Sequence, residues 1–165
     1  MQLNRNSHES DCGNELTQPE MAAIAGLINA NARLTQALGQ RLQEQHDLLL
    51  SEYEILHAIS ESEKQCARLL DLAGSAHLSI SGMSRLAVRL EERGIVDRVP
   101  NQKDGRSSQL KLTPVGEELL AHARETHKEC AQELILQHLT DEEIGQLVAI
   151  WGKIADGSGC GATVE

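Results

Sequence analysis

The most constraining feature of this chain is a change of hydrophobic period between residues 83 and 112. Met83, Leu86, Ala87 and Leu90 stand at i, i+3, i+4 and i+7, the spacing of one buried helical face. Gly94, just past Arg93, supplies a C-terminal stop. Beyond it the residues become β-prone, first at Ile95, Val96 and Val99 and again over Gln109–Leu112. The intervening Pro100-Asn101-Gln102-Lys103-Asp104-Gly105-Arg106 is polar and contains Asp-Gly, a strong turn signal. A helix feeding directly into a two-stranded ribbon with a polar, partly basic tip is therefore expected.

The flanking segments read as helices. One runs from near Pro19 to about Glu44, with Ile24, Leu27, Ile28, Leu34, Leu38 and Leu42 at helical spacing. Its length and its place near a terminus suit dimer contacts. The next starts at Ser51-x-x-Glu54, a capping box with Leu50 and Ile55 as its hydrophobic staple, and carries Ile55, Leu56 and Ile59 on its apolar side. Glu61–Arg68 is charged and polar and is expected as a loop. A short helix spans about Leu69 to Ala76, with a brief break at His77 and Leu78. Ser79 or Ser81 then caps the helix that ends at Arg93. Thr113 as N-cap and Pro114 at the first helical position open a helix to about His138. Thr140-x-x-Glu143, stapled by Leu139 and Ile144, opens the last helix, which carries Ile144, Leu147, Val148, Trp151 and Ile154 on one side.

Two short helices with a tight turn, followed by a β-hairpin, form the winged helix-turn-helix layout. The expected fold is mainly α, with a two-stranded β-ribbon wing and long N- and C-terminal dimerisation helices. Its parts are a tail at 1–17, an N-terminal dimerisation helix at 18–48, the winged domain at 49–112, C-terminal dimerisation helices at 113–156 and a tail at 157–165. Aromatic residues are limited to Tyr53 and Trp151, so the core must be built from Leu, Ile, Val and Ala. At 165 residues the chain is one domain, or one domain with a helical extension.

The net charge of −10 weighs against nucleic-acid binding, but its distribution weighs for it. Arg85 to Lys111 holds seven basic residues against four acids, which makes that stretch +3 and the remainder −13. The four cysteines (Cys12, Cys66, Cys130 and Cys160) have no close-pair spacing. The N-terminus is polar, and no apolar run approaches the roughly 20 residues of a membrane span. A cytoplasmic protein with free thiols and no membrane partner is expected.

An α-helix fits the DNA major groove, where base edges present distinguishable hydrogen-bond patterns. Ser81, Arg85 and Arg89, at i, i+4 and i+8, project away from the apolar face of their helix. Small residues at its start (Ser81, Gly82 and Ser84) permit close approach to bases, and Arg85 and Arg89 can reach guanine edges or phosphates. On a thin ribbon tip, Arg106 can enter a narrowed minor groove, with Asp104 holding its guanidinium. Ser79 and Lys103 complete the candidate DNA-contact set.

The span Asp71-Leu72-Ala73, Leu78-Ser79-Ile80-Ser81-Gly82-Met83-Ser84-Arg85-Leu86 and Leu90-Glu91-Glu92-Arg93-Gly94-Ile95-Val96 resembles the MarR family of bacterial regulators. So does Asp104-Gly105-Arg106 followed by Leu112-Thr113-Pro114-Val115-Gly116, which contains the family's Asp-x-Arg and Leu-Thr-x-x-Gly wing signature. The resemblance covers about Leu50 to Ala123 by motif and the flanking helices by layout. It implies a homodimer with intertwined terminal helices, each subunit placing a recognition helix in the major groove of a pseudo-palindromic double-stranded operator. It also implies repression of its own or a neighbouring operon, released by a small-molecule effector or another signal. No cofactor beyond such an effector is expected.

Three further groups are candidates. Tyr53, His57 and His77 could line a ligand cleft. Cys66, near Lys64 and Arg68, is the cysteine best placed by local charge for redox sensing. Glu118 and His122 share a helix face, with His46 and His57 able to converge on them. Zinc takes about four ligands, however, and no compact motif supplies them, so no metal site is expected. The leading reading is a sequence-specific DNA-binding transcriptional regulator. A thiol-redox or zinc-responsive regulator is a variant of it, and a winged-helix protein-interaction module without DNA binding is the alternative. With no nucleophile elbow, phosphate-binding glycine loop or metal triad, an enzyme is not expected.

Overall fold

A computed structural model of the protein describes residues 15–62, 65–75, 78–100 and 108–157. Helix α1 (Gln18–His46) starts where Glu20 reaches back to the Thr17 N–H, at 2.7 Å, and ends at Asp47 in the left-handed conformation. Only its C-terminal half is buried, through Leu38 and Leu42, whereas Ile24, Leu27 and Ile28 remain exposed. Helix α2 (Leu50–Glu61) begins ahead of the expected capping box. Leu49 is its N-cap, and the residue that accepts from the cap N–H is Glu52, at 2.8 Å, rather than Glu54.

The stretch expected as a loop at Glu61–Arg68 contains strand β1 (Cys66–Arg68). It leads into α3 (Leu69–Ser75), which α4 (Ile80–Glu92) follows in the chain. Strands β2 (Val96–Pro100) and β3 (Ser108–Leu112) form the expected ribbon, in the register Val96↔Leu112 to Pro100↔Ser108. β1 adds to the other edge of β3 (Cys66↔Lys111, Ala67↔Leu110, Arg68↔Gln109), so the sheet is three-stranded and antiparallel, in the order β1-β3-β2. Three residues are too few for an alternating pattern to show, and the partner that makes them a strand lies far along the chain.

Helix α5 (Pro114–Leu134) is capped by Thr113 as expected but is shorter than the reading to His138. Ile135 leaves helical geometry at φ −132°, ψ −63°, and a 3₁₀ turn (Leu136–His138) follows. Helix α6 (Asp141–Gly157) opens with the expected Thr140–Glu143 box, the Glu143 carboxylate accepting from the Thr140 N–H at 2.8 Å.

The core is mainly aliphatic, as the composition requires, with Tyr53 its one aromatic side chain among the described residues. Leu42 and Leu48 meet Ile55, Leu56 and Ile59 of α2. Met83 and Leu90 of α4, Leu110 of β3, and Leu120 and Ala123 of α5 close it. Burying each of the larger side chains contributes about 2 kcal/mol. By contrast, none of the described side chains of α6 is buried, and Val148, Ile150 and Trp151 are exposed. Among the described residues no helix is long and apolar enough to cross a membrane.

Candidate nucleic-acid interface

The sequence left Ser79 and Ser81 as alternative caps of α4, and the structure assigns Ser79. Its Oγ accepts from the Gly82 N–H at 3.1 Å and lies 3.2 Å from the Ser81 hydroxyl. The Leu78 N–H, just ahead of α4, donates to the Ala73 carbonyl of α3 at 2.9 Å. Met83, Leu86, Ala87 and Leu90 form the buried face. At about 100° per residue, the opposite face carries Ser81, Arg85 and Val88, and all three are exposed. Arg85 makes no hydrogen bond or ion pair with any described residue, which leaves its guanidinium available to a ligand.

Arg89 is placed differently. Eight residues overshoot two helical turns, so Arg89 is rotated by about 80° from Ser81 and falls on the flank of α4 that faces α2. There its Nε donates to Glu52 Oε1 at 2.8 Å, and its Nη2 lies 2.7 Å from the same oxygen as an ion pair. Arg93, one turn on, lies 3.6 Å from Glu52 Oε2 and 3.7 Å from Asp47 Oδ2. The Glu52 side chain is 1% exposed. Sequence reasoning missed Glu52 because its partners come from α4. The only local sign was an acid three residues after Leu49, in the first turn of an apolar helix.

Ile80 was also passed over. Its place three residues before Met83 reads as core spacing, yet it is 65% exposed on the first turn of α4, between Ser79 and Ser81. An apolar side chain there suits a thymine methyl group in the major groove.

The base of the wing is tied to α4. Arg98 on β2 holds the Glu91 carboxylate through Nε at 3.2 Å and Nη2 at 2.9 Å, and its Nη1 donates to Ser108 Oγ at 3.2 Å. The tip residues Lys103, Asp104 and Arg106 lie outside the described residues. The Leu-Thr-x-x-Gly segment has a structural role below the wing. Thr113 Oγ1 donates to the Gly94 carbonyl at 2.7 Å and accepts from the Gly116 N–H at 3.1 Å, while the Thr113 N–H donates to the Ile95 carbonyl at 3.1 Å. Gly116 lets α5 rest directly on that carbonyl, since a Cβ there would lie 2.1 Å from the Ile95 oxygen.

Comparison with known proteins places this geometry. The MarR family profile matches residues 48–108. The HTH-type transcriptional regulator YxaD of Bacillus subtilis (strain 168) is 30% identical over 118 residues, which cover 70% of this chain and 81% of that protein. The chain belongs to the MarR family of transcriptional regulators. A further MarR-family relationship is seen with Sco3205 of Streptomyces coelicolor, whose crystal structure is in complex with DNA. The two share a TM-score of 0.77 and 28% identity, over 87% of this chain and 89% of that one. The HTH-type transcriptional repressor IacR of Pseudomonas putida is 24% identical over 141 residues, covering 86% of this chain and 81% of that protein.

In this MarR-family chain the other candidate residues are dispersed. Tyr53 is buried, with His57 edge-on at 6.0 Å between ring centroids and His127, which the sequence reading had not singled out, at 5.5 Å. His77 lies outside the described residues. A hollow of about 320 Å³ between α2, α3 and the sheet is lined by Cys66, Arg68, Asp71 and Gln109 among others, and Tyr53 and His57 are not part of its wall. Cys66 is therefore a half-buried strand residue beside a shallow hollow, not a member of a charged loop, and Cys130 is fully buried. His46 Nε2 lies 2.7 Å from Thr126 Oγ1, whose hydroxyl donates to Gln45 at 2.9 Å. Burial pushes His46 below the ordinary imidazole value, with repulsion from His122 adding to it. Burial first and His57 second do the same for His127. Among the described residues no group of three or more His, Cys, Asp or Glu is placed to hold a metal ion.

Proposed function

We propose that the chain is a homodimeric, sequence-specific DNA-binding repressor of its own or a neighbouring operon, released by a small-molecule effector or another signal. The carrying observation is the outer face of α4. Ser81 and Arg85, the latter unpaired among the described residues, stand exposed beside small residues, on a helix whose first turn is fixed by Ser79. The crystal structure of Sco3205 in complex with DNA supports the same reading by similarity. In this reading Ser79, Ser81, Gly82, Ser84 and Arg85 face the major groove. Lys103 and Arg106 address phosphate and minor groove, and Asp104 orients Arg106. The exposed apolar residues of α1 and α6, Ile24 and Ile28 with Val148 and Trp151, support a dimer that covers them. A cytoplasmic protein, nucleoid-associated when DNA-bound, follows from this reading.

The test is a titration against duplex from upstream of its own coding region, with a scrambled duplex as control, at two salt concentrations. Tight binding of one dimer to the upstream duplex only is expected, weakened strongly by Arg85→Ala and by Arg106→Ala with helicity and dimerisation kept. Equal, weak binding to both duplexes, followed by failure to select any genomic fragment, would transfer the weight to a protein-interaction module.

A further inference from the structure

We propose that buried Glu52 is a specificity-determining positioning residue: it withholds Arg89 from the DNA backbone and fixes α4 against the start of α2. The proposal rests on the DNA-binding reading above. A carboxylate that is 1% exposed persists in a fold when its oxygens are paired. Here both are. Oε1 accepts from Nε of Arg89 and is ion-paired with its Nη2, while Oε2 accepts from the Leu49 N–H at 2.8 Å and faces Arg93 at 3.6 Å. Asp47, at the end of α1, also lies near Arg93, at 3.7 Å. One side chain thus caps α2 and grips two arginines on a flank of α4.

Arg89 is still 48% exposed, so its hold on Glu52 does not depend on being sealed from solvent. Its guanidinium sits beside the base-facing line of Ser81, Arg85 and Val88, not on it. Released, this long cation would lie within a side chain's reach of a duplex held by α4. A cation that meets phosphate adds affinity for every sequence alike, because phosphate contacts carry no base information. Holding it on Glu52 keeps the arginine's packing while removing that unspecific term. A chain with a net charge of −10 and a small basic face gains selectivity the same way, by limiting which cations can reach a phosphate.

The experiment measures salt dependence of binding to operator and scrambled duplexes for wild type, Glu52→Gln, Arg89→Ala and the double variant. The amide introduced by Glu52→Gln keeps an oxygen for the Leu49 N–H, so the cap of α2 survives while the ionic hold is lost. Freed in both subunits, Arg89 adds about two phosphate contacts. The affinity lost between 50 and 200 mM salt then grows by about ten-fold over wild type, and the operator-to-scrambled ratio falls. Arg89→Ala alone leaves the salt slope unchanged, and the double variant returns to it. If Glu52→Gln does not fold, Arg89→Ala alone decides, since its half-exposed side chain can be removed with Arg93 still facing Glu52. A shallower slope in Arg89→Ala means that Arg89 already contacts phosphate in the wild type and overturns the proposal. So does an unchanged slope in folded Glu52→Gln. Failure of the wild type to prefer its operator is a different result: it overturns the DNA-binding reading, and the specificity role with it.

Discussion

Gly116→Ala should be among the most damaging single-methyl changes in this protein, and its size can be worked from the packing. The new Cβ would lie 2.1 Å from the Ile95 oxygen, 3.1 Å from the Ile95 carbonyl carbon and 3.3 Å from its Cγ2. The first two are backbone atoms, so no rotamer change relieves the clash, and the start of α5 must retreat by about 1 Å to reach an ordinary contact. That movement strains the Thr113 junction, where one residue donates to Gly94 and Ile95 and accepts from Gly116. Overpacking of this kind costs about 1–3 kcal/mol, and each weakened hydrogen bond adds about 1 kcal/mol. The better helix propensity of Ala returns about 1 kcal/mol. A net loss of about 3 kcal/mol is expected, which in a chain of this length lowers Tm by about 9 °C. Urea unfolding followed by circular dichroism at fixed protein concentration measures it. Gly74→Ala, in a helix where nothing lies within 4 Å, serves as the control and should match or slightly exceed wild type. A Gly116→Ala midpoint indistinguishable from wild type would refute the reasoning, because it would mean that α5 does not rest on Ile95.

The remaining predictions concern three other surfaces. Replacing operator thymines by deoxyuridine, which removes the methyl, should weaken wild-type binding at one position per half-site and leave Ile80→Ser indifferent; equal sensitivity in both proteins removes Ile80 from readout. Val148→Asp should shift the protein to a monomer in size-exclusion chromatography with light scattering; a persistent dimer places the interface elsewhere. His46 and His127 are held below their ordinary value of 6.5 by burial, so the unfolded chain binds more protons than the fold near that pH. Their stabilising contribution is complete above about pH 6.5 and is lost as pH falls through the lowered folded values. Unfolding free energy should therefore decline below about pH 6.5, and less steeply in the His46→Gln/His127→Gln variant; identical slopes would contradict it.

What the sequence revealed, and what it hid, follows from how local each signal is. The face of α4 was legible because Met83, Leu86, Ala87 and Leu90 are one helix's own pattern, and the start of α5 because Thr113-Pro114 acts within a single turn. The same local logic misplaced the start of α2. Ser51-x-x-Glu54 has the right spacing, but Glu52 is drawn inward by Arg89 and Arg93, and that pull belongs to the tertiary fold. β1 was invisible for a related reason, since Cys66–Arg68 becomes a strand only by pairing with β3. In the candidate site, Ser81 and Arg85 were read correctly as outward-facing. Arg89 also projects away from the apolar face and is 48% exposed, but the helix has turned by then, so it sits on the flank beside Glu52 rather than in line with Ser81.

The grip of Arg98 on Glu91 and Ser108 ties the foot of the wing to α4. Probes hinged separately could follow the grooves of whatever duplex they met. Here Arg98 links the foot of the wing to α4 before any DNA arrives, so part of a mismatch in groove geometry would fall on the duplex. Pyrimidine–purine steps yield readily and A-tracts resist. The preferred operators would then be ranked partly by how easily they deform, including at base pairs that no side chain touches.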